Sequence, residues 1–298
     1  MSIAFVKGIY QIGQGNTLAW TRVRNPSPRG LIFLPPLIGG NLSQQIGMFR
    51  WLTRNRYDLI SFNYSGHGNS SGKFSLRATL RDTLHMLQYA YSLSKKEQLP
   101  LLGIASCYSA IPLLYAAYRL KEPLGGVVLI NAVLKLSPGA VLRSFWAHYR
   151  KMIPARVGIK KILTAIIHYA DFMFPGIKKG KECFGLLERE RVRLFNTLAD
   201  FFTLDPLKRA CLQNTPVLCL YASQDRILDI YDGGVRINYK NEVRRICPLT
   251  RFSPLDGNHF LALRATRDRA TKYIDSFLNL RVQSSHEQDK QSPHQKKS

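Results

Sequence analysis

Three side chains in this sequence could share one piece of chemistry: the thiol of Cys107, the carboxylate of Asp225 and the imidazole of His259. Cys107 lies in Leu101-Leu-Gly-Ile-Ala-Ser-Cys-Tyr-Ser-Ala110, an apolar run that passes through small–x–nucleophile–x–small into the helix-forming residues 111–120. A sharp strand-to-helix turn of this kind lifts one side chain clear of a sheet. Strand and helix backbones approach closely there, so the positions two before and two after the nucleophile must be small. With Cys107 at the centre they are Ala105 and Ser109; with Ser106 they would be Ile104 and Tyr108, both too large. Pro112 falls in the first helical turn, where proline is tolerated. The attacking atom is therefore expected to be sulfur. A thiol attacks as thiolate, so it needs a base and a positive environment, part of which a helix N-terminus supplies.

The base should be a histidine. Of the seven, His286 and His294 lie in a polar tail, His85 in a helical pattern, and His148 and His168 in a basic helical stretch. His67 and His259 remain, in loops beside apolar strands, and His259 closes Asp256-Gly-Asn-His259 near the end of the chain. Asp225 ends the loop Ser223-Gln-Asp225 after the apolar run 216–222, where it would accept the imidazole N–H and hold the reactive tautomer. Asp229 and Asp232 are neighbouring carboxylates that read as local caps. An oxyanion needs two backbone N–H donors. Tyr108 follows the nucleophile, and Leu37 is the first residue with an N–H in Pro35-Pro36-Leu37-Ile38-Gly39-Gly40. The glycine-rich loop Asn63-Tyr-Ser-Gly-His-Gly-Asn-Ser-Ser-Gly72 lacks the phosphate-cradling pattern, so His67 is expected to be structural.

These residues need a scaffold, and apolar runs alternating with helical patterns imply a mostly parallel sheet with crossover helices. Strands are expected at 3–12, 17–24, 31–34, 57–63, 101–105, 126–131, 216–222 and 244–249, with helices at 44–55, 76–93, 109–120 and 267–278. Residues 132–207 break the alternation and read as a helical cap inserted into a core formed by 1–131 and 208–280. Between Lys135 and Lys181 this insertion carries ten Lys or Arg against one acid, Asp171. Its amphipathic stretch 157–170 could cover the active site or lie on an anionic membrane. Residues 281–298, rich in Gln, Ser, Lys and His, read as a disordered polar tail.

Composition bounds the rest. A formal charge of +24 favours polyanions or anionic bilayers, or simply a well-solvated surface, and no zinc-finger, RNA-recognition or helix-turn-helix pattern accompanies it. Five scattered cysteines argue against a disulfide framework or zinc site and for a reducing compartment. No metal or cofactor is expected. The N-terminus lacks secretory-signal features and no apolar run is long enough to span a membrane, so a cytoplasmic protein is expected, with contact at the inner membrane surface through the basic cap.

Four segments carry a family resemblance: Tyr57-Asp-Leu-Ile-Ser-Phe-Asn-Tyr-Ser-Gly-His-Gly-Asn-Ser-Ser-Gly72, Ala105-Ser-Cys-Tyr-Ser-Ala110, Leu220-Tyr-Ala-Ser-Gln-Asp225 and Leu255-Asp-Gly-Asn-His259. Their order, nucleophile then acid then base, resembles that of the α/β-hydrolase superfamily. In particular the chain is similar to the acyl-transferase/thioesterase branch that releases fatty acyl groups for bacterial bioluminescence. That branch uses serine where this chain has Cys107, and a cysteine elbow instead resembles dienelactone hydrolases and polyhydroxyalkanoate synthases. Asn63 stands where the superfamily usually has an acid. The resemblance implies an α/β-hydrolase fold with a helical cap, and an esterase or thioesterase using a Cys107–His259–Asp225 triad and a covalent acyl-enzyme. It further implies an acyl ester or thioester substrate, and the apolar, basic cap suggests an acyl chain on an anionic carrier such as coenzyme A or an acyl carrier protein. The alternatives are an acyltransferase with the same triad, or a non-catalytic protein that docks on a membrane or acidic partner.

Overall fold

The computed structural model describes residues 3–13, 15–37, 40–120, 122–135, 196, 199–200, 203–225, 236–257 and 264–291. Its centre is an eight-stranded sheet in the order β1-β2-β4-β3-β5-β6-β7-β8. Strands β1 (Ala4–Ile12) and β2 (Asn16–Arg24) form a hairpin, and β2 also pairs antiparallel with β4 (Tyr57–Phe62). From β4 onward every pairing is parallel, through β3 (Gly30–Leu34), β5 (Leu101–Ser106), β6 (Gly126–Ile130), β7 (Val217–Ala222) and β8 (Thr250–Leu255). Strands covered on both faces read as continuous apolar runs rather than alternating ones. Gly-Leu-Ile-Phe-Leu in β3 and Gly-Val-Val-Leu-Ile in β6 are buried at every position.

Helices α1 (Leu42–Phe49), α2 (Leu76–Lys96), α3 (Ala110–Leu120), α4 (Arg236–Ile246) and α5 (Arg264–Gln291) flank the sheet. Alternate strand residues feed two cores. Phe33, Phe62, Val127 and Cys219 pack with Met86, Leu113 and Leu114 of α2 and α3 on one face. Ile32, Leu34, Ile104 and Val128 pack with Ile46 of α1 and Ile274 and Leu278 of α5 on the other. Among the described residues, no helix is long and apolar enough to cross a membrane.

The expected mostly parallel sheet with flanking helices is observed, with one element displaced. Residues 244–249 do not form the predicted strand: Arg244–Ile246 close α4, and the last strand is Thr250–Leu255. Val243, Ile246 and Cys247 recur at helical spacing and are all buried, so they serve as the inner stripe of a helix. Strand β8 hides its signal because it is an edge strand, with Arg251 exposed and Pro254 exposed between the buried Ser253 and Leu255. An edge tolerates Pro254, which has no N–H to give a further strand.

The predicted 44–55 helix is α1 followed by a 3-10 turn, Arg50–Asn55, that stops at Arg56 in the left-handed region (φ 64°). Helix α5 passes residue 281, where the polar tail was expected to begin: Val282 is buried in the second core, and the helix continues to Gln291. Ala132, Val133, Leu134 and Leu207, at the two ends of the insertion, belong to the first core. The rest of the expected cap, 136–195, and the last residues, 292–298, lie outside the described residues.

Candidate active site

In an open α/β sheet ligands bind outside the carboxyl ends of the strands, where the chain reverses its direction of travel across the sheet. Here the chain leaves β3 toward β4 on one side and leaves β5 toward β6 on the other, although β3 and β5 are neighbours. The carboxyl ends of β3 and β5 lead into the loop that carries Leu37 and into the turn that carries Cys107.

The turn is as sharp as the sequence pattern requires. Ser106, the last residue of β5, is extended (φ −130°, ψ 150°) and pairs with Ile130. Cys107 then enters the left-handed region at φ 50°, a 3-10 turn runs over Cys107–Ser109, and α3 begins at Ala110. A side chain other than glycine is strained in this conformation, and such strain clusters at functional positions. The left-handed position thus falls on Cys107 and not on Ser106. Ala105 and Ser109 are both fully buried, in accord with the need for small residues there. The Ser109 hydroxyl accepts the Ser106 N–H at 2.9 Å and donates to the Ser106 carbonyl at 2.8 Å, pinning the turn from inside. Cys107 itself is half-buried, and its carbonyl accepts the Val133 N–H at 2.9 Å.

Tyr108 buries its side chain and shares a 2.7 Å hydrogen bond with the Thr79 hydroxyl on α2. Burial raises the ionisation of this phenol well above its ordinary range, so it stays neutral, and only its backbone N–H is left for the oxyanion role expected of it. Leu37 is half-buried behind the buried Pro35 and Pro36, and its carbonyl accepts the Gly40 N–H at 3.0 Å. Asn63 steadies the end of this loop: its Oδ1 accepts the Leu42 N–H at 2.9 Å, at the start of α1. Gly68 (φ 47°) lies so close to Asn63 that an added Cβ would meet Nδ2 at 2.7 Å, which is why this loop needs a glycine there. His67 is fully buried between the rings of Tyr64 and Phe74, in keeping with the structural part expected of it.

Asp225 is buried two strands away, after β7. Neighbouring strands are spaced by about 4.8 Å, which puts the carboxyl ends of β5 and β7 roughly 10 Å apart. The loop is held from two directions. Asn131, left-handed at φ 46° after β6, accepts the Ala222 N–H on its Oδ1 at 2.7 Å. Ser223 N–H donates to Leu255 (2.7 Å) and Gln224 N–H to Gly257 (2.9 Å), so the segment leading to Asp225 is laced to the loop after β8. His259 follows two residues beyond Gly257 and lies outside the described residues, as do Asp229 and Asp232. The structure thus gathers the Leu37 loop, the Cys107 turn, Asp225 and the approach to His259 at one edge of the sheet. Sequence reasoning missed Asn131 and the Val133–Cys107 bond, whose partners lie far apart in the chain. The one available signal was a polar Asn after an all-apolar strand.

No protein-family model matches the chain, and no curated protein matches it by sequence. Solved structures do. A soluble variant of monoglyceride lipase from Saccharomyces cerevisiae, in complex with a substrate analog, matches over 92% of this chain and 94% of its own at 12% identity, TM-score 0.61. A highly thermostable carboxyl esterase from Bacillus coagulans, in complex with glycerol, matches over 94% and 100% at 13% identity, TM-score 0.64. The alpha/beta hydrolase domain-containing protein 10 from mouse matches over 92% and 98% at 17% identity, TM-score 0.51.

Proposed function

We propose that this chain, which has the α/β-hydrolase fold, is an acyl hydrolase that works through a covalent thioester on Cys107. The observation that carries the reading is the left-handed backbone of Cys107 (φ 50°) at the junction of β5 and α3, where the chain reverses its direction of travel across the sheet. The solved neighbours named as a lipase and an esterase support an ester-type substrate for this fold.

In the proposed reaction His259 takes the Cys107 proton as sulfur attacks the carbonyl of an ester or thioester. The backbone N–H groups of Tyr108 and Leu37 stabilise the tetrahedral oxyanion, and its collapse expels the alcohol or thiol, which recovers the proton from His259. Water, deprotonated by the same imidazole, then hydrolyses the thioester and regenerates the thiol. Asp225 holds the imidazole in its reactive tautomer and stabilises the imidazolium. Cys107 in place of serine favours a second outcome at the same site: an acyl-thioester is an activated donor, so an alcohol or thiol in place of water makes the enzyme an acyltransferase. Carriage of the acyl group on coenzyme A or an acyl carrier protein belongs to this proposal, as do action in the cytoplasm and membrane contact through the basic residues 136–181.

Incubation with a panel of acyl thioesters and activated esters, followed by intact-mass and peptide mass spectrometry, tests the reading. The expected result is an acyl adduct on Cys107 that is absent in Cys107→Ala and retained in Ser106→Ala. An adduct lost in Ser106→Ala but kept in Cys107→Ala would transfer the nucleophile to Ser106. No adduct with any probe would favour a binding protein on this fold.

A further inference from the structure

A cavity of about 840 Å³ opens between the N-terminal end of α2, the start of β2 and the residues Asn196, Ala199, Asp200 and Thr203, and its charged wall is formed by Lys73, Arg77, Arg81 and Asp200. That volume falls within the range of small-molecule sites. We propose that this cavity binds a phosphoanion.

The charge balance carries the proposal. Among the described residues, Asp200 and the neighbouring Asp82 are the carboxylates that could neutralise the three cations, and both are engaged. The Asp200 side chain, 5% exposed, accepts the Arg77 backbone N–H at 3.0 Å and the Arg77 Nε at 2.9 Å. Asp82 is fully buried, with one oxygen on the Ser65 N–H at 2.7 Å and the other on Arg81. These bonds leave cationic donors over. The terminal nitrogens of Arg77, the Nη1 of Arg81 and the Lys73 ammonium have no acceptor among the described residues. Arg77 and Arg81 are four residues apart on α2, so they stand on one face, with Lys73 just ahead of the helix.

Arg77 is also pre-oriented. Its Nε is fixed by the buried Asp200, which turns the free end of the guanidinium outward as a planar fork suited to a phosphate or carboxylate. Three cations around one opening suit an anion bearing more than one charge, which selects phosphate over a single carboxylate. The hydroxyl of Ser75 and the amide of Asn16 line the same space and can donate to further oxygens. The cavity is linked to the Cys107 turn: Ala78 lines it, and the next residue, Thr79, holds the Tyr108 hydroxyl. If the acyl-transfer reading holds, the phosphorylated end of an acyl donor is one source of the anion and a free phosphoanion is the other.

Isothermal titration calorimetry on Cys107→Ala protein separates these, because that variant cannot turn over an acyl group. The probes are coenzyme A, dephospho-coenzyme A and inorganic pyrophosphate. Coenzyme A and pyrophosphate are expected to bind, to compete with each other, and to weaken as salt is raised. Arg77→Gln and Lys73→Gln should each weaken pyrophosphate about tenfold, the loss of one charge-assisted hydrogen bond. Arg77→Gln also cuts the tie to Asp200, so Lys73→Gln, at an exposed residue, keeps the test valid if Arg77→Gln destabilises the fold. Tighter binding of coenzyme A than of pyrophosphate identifies an acyl carrier; pyrophosphate alone identifies a free phosphoanion. Absence of binding by any probe, or affinities unchanged in both variants, overturns the site. Acylation of Cys107 is measured separately, so the two readings fail independently.

Discussion

At Cys107 the backbone is held where side chains other than glycine are disfavoured (φ 50°), and the hydrogen bonds around it show what holds it there. Ser109 grips Ser106 from the inside, and Val133 grips the Cys107 carbonyl from the next strand's exit. A left-handed residue of this kind costs about 1–3 kcal/mol, part of which glycine's greater unfolded-state freedom offsets. Cys107→Gly is therefore expected to be more stable than Cys107→Ala by roughly 1 kcal/mol in urea denaturation, although both lack the thiol. Equal midpoints would show that the turn is relaxed. The position of this turn was legible in the sequence because close strand–helix approach requires Ala105 and Ser109. Its supports were not, since Val133 meets Cys107 only once the sheet has formed. Asn131 is a second left-handed residue of this kind, and it too is clamped, by Leu220 and Ala222 of β7.

At the scale of elements, the antiparallel end of the sheet is joined to α2 through one guanidinium. Arg22 of β2 binds Asp58 of β4 and both oxygens of Glu97, at the C-cap of α2. Asp58 in turn accepts the Asn25 N–H at 2.7 Å. The hydrogen bond from Arg22 holds the pKa of Glu97 below its ordinary 4.5. A carboxyl depressed in the folded state contributes stability that is present above its unfolded value and lost as pH falls through the folded one. The difference in stability between wild type and Glu97→Gln should therefore be constant near neutrality and shrink as pH drops below about 4.5, measured by urea midpoints at stepped pH. A difference independent of pH would remove Glu97 from the bridge. Most elements were readable from periodicity, because strands buried on both faces are apolar throughout and α2 carries a regular stripe. Strand β8 was not: its edge position admits Arg251 and Pro254, and the preceding Val243, Ile246 and Cys247 make an apolar cluster without strand alternation. The basic cavity was equally hidden, because Asp200, which orients Arg77, is 123 residues away in the chain.

At the scale of the whole molecule, burial sorts the four described cysteines into two populations. Desolvation pushes the thiols of Cys219 and Cys247 up to about 12, so in the folded protein they are neither ionised nor accessible. Cys211 is exposed and Cys107 half-buried. Iodoacetamide at about pH 8 should modify Cys107 and Cys211 in the native protein and reach Cys219 and Cys247 only as urea unfolds it, by peptide mass mapping. Labelling of Cys219 at the rate of Cys211 without denaturant would mean that the core between the sheet and α4 opens locally.

The bonds that fix the exit of β6 to that of β7 have a further consequence. Asn131 donates its N–H to Leu220 and accepts the Ala222 N–H, so the carboxyl ends of β6 and β7 are clasped together whatever path the chain takes from one strand to the other. Whatever lies between is a closed loop anchored at both ends, and doubling the length of such a loop costs only about 0.6 kcal/mol in closure entropy. The segment between β6 and β7 can therefore change in length and composition while the Cys107 turn and the Asp225 loop keep their spacing. On the proposed function, substrate range can then evolve apart from the residues that break the bond.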